Sequence, residues 1–132
     1  MTTCASFIAG LAALNVAGVV RAFDYPPAAL NTADLPAMWV QLPHGESGAL
    51  TFQANSGWPT LRAQIVIAVE AVGQEQQPTK FALTVSLLDN LNSALANADV
   101  SRGPLSWTVR QGIVEVAGGQ YWAIVADVEG RG

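Results

Sequence analysis

Charge is what this sequence has least of. Six Lys and Arg and ten Asp and Glu make up only 12% of its 132 residues, against about 25% in an ordinary soluble domain. Hydrophobic residues reach 51%, which excludes disorder, because a disordered chain combines low hydrophobicity with high net charge. The balance of −4, with a pI near 4.6, argues against a basic face for nucleic acid or anionic lipid. A chain of this length fits one domain, expected over 1–132, and buries about two-thirds of its surface without help from disulfides or metal. Too few charges remain to cover the outside, and a large apolar surface on a soluble protein usually marks a partner.

Cysteine and histidine are nearly missing as well. Cys4 stands alone, so no internal disulfide and no cysteine-rich zinc site can form. With no His near it in sequence it reads as a small buried hydrophobe rather than a nucleophile, and the chain fits a reducing cytosol. His44 is the one histidine. It could pair with Glu46 and a serine, but no nucleophile elbow or third positioned group accompanies it, and an exposed loop imidazole is the plainer reading. Metal-ligand spacing is absent. Gly112 to Gly119 lacks the Lys-Ser or Lys-Thr pair of a phosphate loop. Asp127 and Glu129 share a strand face, and so does not every carboxylate pair make a glycosidase: solvation explains them. The tryptophans at 39, 58, 107 and 122 suit core or interface better than a ligand pocket. No enzyme is expected, and no cofactor.

Basic residues are missing where a signal peptide would need them. Residues 1–20 carry no charge, yet a signal peptide wants a basic start and a spanning helix about 20 apolar residues. Ser6 and Asn15 interrupt the run and Gly10 and Gly18 dilute it, so a buried amphipathic helix is expected instead.

What is present is clear periodicity. Phe7, Leu11, Leu14 and Gly18 recur at helical spacing and predict a helix over Thr3–Ala22. Pro26-Pro27 ends it, leaving Phe23-Asp24-Tyr25 extended, with turn chemistry at Asn31–Asp34 before Pro36. Met38–Leu42 and Ala49–Gln53 read as strands, separated by the loop Pro43–Gly48 and followed by the turn Asn55-Ser56-Gly57. Trp58–Val72 alternates over its whole length, with both faces apolar in the middle, and is expected to be a central strand. Thr79–Ala96 holds no Gly or Pro and is too long for a strand; Phe81, Val85, Leu88, Leu91 and Leu95 set its helical stripe. Three strands follow, Leu105–Val109, Gly112–Val116 and Gln120–Glu129, the last two joined by a hairpin at Gly118-Gly119. The expected fold is α+β: a mostly antiparallel β-sheet with two main helices packed on one face.

With the elements in this order, the chain resembles the tail-terminator proteins of tailed bacteriophages, small neck or head-tail joining proteins at the junction of tail tube and head. The resemblance lies in Val19–Pro27 with Ala33–Ala37, in Phe81–Leu95 with Leu87-Leu88-Asp89-Asn90-Leu91 inside it, and in the hairpin Val114–Ile124. It implies a virion structural protein assembled in the host cytoplasm, a homo-oligomeric ring of six that caps the tail tube and meets the head connector. DNA would pass through the lumen without being read. Head-tail stopper proteins share the layout, and a small cytosolic ligand-binding or interaction domain is the alternative outside the virion. A ring subunit needs two complementary edges, and a strand edge with few charges supplies one by β-addition. The last strand is the expected contact, through Tyr121, Trp122, Ile124, Ala126 and Val128. His44, Glu46, Ser56 and Trp58, in the two polar loops, are the expected axial contacts with tube or connector.

Overall fold

A computed structural model describes residues 4–23, 26–30, 35–41, 50–51, 60–71, 78–99 and 105–131. In chain order these form α1 (Cys4–Ala12), β1 (Arg21–Phe23), β2 (Ala37–Gln41), β3 (Leu50–Thr51), β4 (Thr60–Ala71), α2 (Pro78–Ala96), β5 (Ser106–Val116) and β6 (Gly119–Arg131). The strands make one sheet in the order β1-β2-β4-β6-β5, with β3 also paired to β4. Only β1 and β2 run parallel; every other pairing is antiparallel. The fold is α+β, with both helices on one face of the sheet.

The helix-side core is assembled by strict alternation. Met38 and Val40 from β2, Leu61, Ala63, Ile65, Ile67 and Val69 from β4, and Ile124, Ala126 and Val128 from β6 point to one side. Phe7 and Leu11 of α1 and Leu87, Leu91 and Leu95 of α2 close over them. The opposite face carries a smaller apolar cluster, Trp39, Val66, Ala68, Val116, Ala123 and Val125, against which Leu30 and Leu35 of the β1–β2 connector pack. The middle of β4 is buried on both sides, as its two apolar faces require. Between Ala68 and Glu70 the register slips by one residue, a bulge that sets Glu70 opposite Trp122 and adds local twist.

Three elements differ from their expected form. First, α1 ends at Ala12 rather than reaching Ala22. Gly18 has φ +94°, a left-handed conformation that only glycine adopts cheaply, so the chain turns there. A Cβ at Gly18 would also stand 3.1 Å from Leu87 Cδ2. Asn90 Nδ2 donates to Ala17 O at 2.8 Å, and Val20 N to Pro36 O at 2.8 Å, fixing the exit that leads into β1. Second, α2 is rotated. Its buried stripe is Thr84, Leu87, Leu91 and Leu95, while Phe81 is 61% exposed and Val85 is also exposed; these two were expected to face the core. Leu87 at i, Leu91 at i+4 and Leu95 at i+8 form the tighter stripe, and it wins. Third, β5 is one continuous strand through Gly112, not two.

The hairpin turn falls one residue earlier than expected. Val116 pairs with Gly119, so Ala117 and Gly118 are the two turn residues, with φ +53° and +81°. Positive φ at both is the type I′ turn that matches strand twist, and it favours Asn-Gly. Ala117→Asn is expected to stabilise the protein by about 0.5–1 kcal/mol, since an L-residue without a local hydrogen-bonding side chain holds this conformation at a cost of roughly 1–2 kcal/mol. Urea unfolding checks it. The same assay tests the rotation of α2: Leu91→Ala is expected to cost about 2–5 kcal/mol, and Phe81→Ala no more than about 0.5 kcal/mol.

Candidate functional site

The helix-free face shows how the polar side chains of the sheet are used. Gln41, Gln64 and Asp127 are neighbours in register across β2, β4 and β6, so they line up in one row on one face. Trp39 Nε1 donates to Gln41 Oε1 at 3.0 Å, Gln41 Nε2 to Gln64 Oε1 at 2.9 Å, and Gln64 Nε2 to Asp127 Oδ1 at 2.8 Å. The other Asp127 oxygen accepts from Arg110 of β5. This chain of donors and acceptors crosses four strands. Gln64, 7% exposed, sits at its centre, both accepting and donating. Beside it a groove of about 420 Å³ runs between β2 and the β5–β6 hairpin, bordered by Trp39, Gln64, Val66, Arg110, Glu115 and Val125.

The row supplies register. Asp127 faces the Arg110 guanidinium, and Glu129 faces Arg62 at 3.3 Å. The two carboxylates are thus held by separate cations, unlike an acid and base that share a substrate. All four side chains are 38–54% exposed, so each ion pair contributes no more than about 1 kcal/mol. Trp39 lies in the helix-free cluster, whereas Trp107 packs on the helix-side core and donates from Nε1 to Asn92 Oδ1 at 3.0 Å. These two indoles are therefore on opposite faces and cannot line one pocket. Among the described residues no group of three or more His, Cys, Asp and Glu could hold a metal ion, and no helix is long and apolar enough to cross a membrane.

The feature best suited to recognition is β5. It forms the end of the sheet beyond β6, and among the described residues nothing pairs with its outer side. Its outward groups follow from the turn. A turn of this kind bonds the first residue to the fourth, which makes Val116 and Gly119 a hydrogen-bonded pair. Hydrogen-bonded and open pairs then alternate along an antiparallel ladder, and the β5–β6 register runs unbroken to Ser106. Trp107, Val109, Gln111, Ile113 and Glu115 therefore turn their peptide N–H and C=O groups outward. Natural edges are guarded by Pro, by Lys, by bulges or by shortness. The β5 edge spans eleven residues with no Pro, no Lys and no bulge against β6; its charges are Arg110 and Glu115, and Ile113 on it is 51% exposed.

α2 flanks the same edge. Asn92 reaches β5 through its bond to Trp107, and residues 81, 85, 88 and 92 follow one another at helical spacing. Phe81 and Val85 therefore stand on the side of α2 that looks toward β5.

The residues expected to make contacts are placed quite differently. β6 is not an edge; β4 and β5 occupy its two sides. Ile124, Ala126 and Val128 are core residues, and Tyr121 and Trp122 are half-buried within the sheet. Their strand alternation was legible, but strand order is set by non-local pairing. One local signal did point to it: the run Trp122–Ala126 is apolar on both faces, like the middle of β4, whereas β5 alternates half-buried with exposed residues. His44, Glu46, Ser56 and Trp58, with their loops, lie outside the described residues, as does the turn Asn31–Asp34. Cys4 opens α1, with its side chain outside what is described. No protein-family model and no curated protein matches this chain.

The hydrogen-bonded row yields a direct test. Gln64→Leu leaves Gln41 without its acceptor, removes a donor from Asp127 and is expected to cost about 1–3 kcal/mol. Arg110→Gln, at the exposed end, is expected to cost under about 1 kcal/mol. Denaturant midpoints of the two variants measure both.

Proposed function

We propose that this protein is a ring subunit of the neck of a tailed bacteriophage, of the tail-terminator type. It caps the tail tube, joins it to the head connector and performs no catalysis. One observation carries the reading: the sheet ends in two unlike strands, the eleven-residue β5 on one side and the three-residue β1 on the other. A twofold dimer needs one self-complementary patch, whereas head-to-tail closure needs two different patches on one subunit. Two unlike sheet ends are of the second kind. The resemblance of the helix exit, α2 and the last hairpin to terminator proteins points the same way, and the sparse charge suits a subunit whose flanks are covered by its neighbours.

The partners under this reading are further copies of the chain, a tail-tube protein and a head connector or stopper, with DNA passing through the lumen unread. Electron microscopy of the purified protein, alone and mixed with tail tubes from the same virion, tests it. Six-membered rings, free or seated on tube ends, are expected. A protein that stays monomeric and leaves tube ends bare would contradict it, and binding to the connector but never to tubes would favour a stopper.

A further inference from the structure

We draw no further inference here: the strongest candidate, the outer edge of β5 with its exposed Ile113, carries none, because nothing in the structure shows what covers it.

Discussion

The structure depends on the pairing of β4 with β6. Eleven residue pairs join the two strands, and along their middle both faces are apolar, so neither strand can sit at the edge of the sheet without leaving a face in water. Ile65 and Ile67 with Ile124 and Ala126 seat the helices; Val66 and Ala68 with Ala123 and Val125 make the second cluster. Once these two strands are central, the rest is displaced outward. β2 and β1 extend the sheet on one side, β5 on the other. The open edge of β5 is thus a consequence of core burial and does not need to be designed separately.

The polar side chains obey the same constraint. A buried amide must find partners, since leaving one unsatisfied costs about 1–3 kcal/mol. Gln64 is buried in the middle of the sheet, and the neighbouring strands answer it with Gln41 on one side and Asp127 on the other. A slip of β2 by one residue would break the first bond and a slip of β6 the second, and either would send that strand's apolar side chains to the wrong face. The row therefore pins the register on which the apolar faces rely.

Much of the local structure was legible in the sequence. Alternation located β4 and β6 within about two residues, the lack of Gly and Pro located α2, and the prolines located the start of β2. What could not be read was strand order and helix rotation, because both follow from distant contacts. Phe81 and Val85 satisfy a helical repeat as well as Leu87 and Leu91 do, and only the position of the sheet decides between them. The last strand shows the same limit. The run Trp122–Ala126, apolar on both faces, is the one local sign that the last strand is central; β5 folds back along its outer side through the Ala117-Gly118 turn and takes the edge position. Gly18 is the converse case: it dilutes a helical pattern in the sequence, but its positive φ ends any continuation of α1.

Among the described residues β5 presents an open edge, which assembly covers under the proposed ring reading. Residue-resolved amide hydrogen exchange measures this most directly, comparing the isolated subunit with the assembled ring. In the subunit, the outward amides of Val109, Gln111, Ile113 and Glu115 are expected to exchange faster than the inward amides of Thr108, Arg110, Gly112 and Val114, which bond to β6. Assembly is expected to slow the outward set. Equal protection of both sets in the isolated subunit, or outward amides that exchange as fast in the ring as outside it, would contradict the claim.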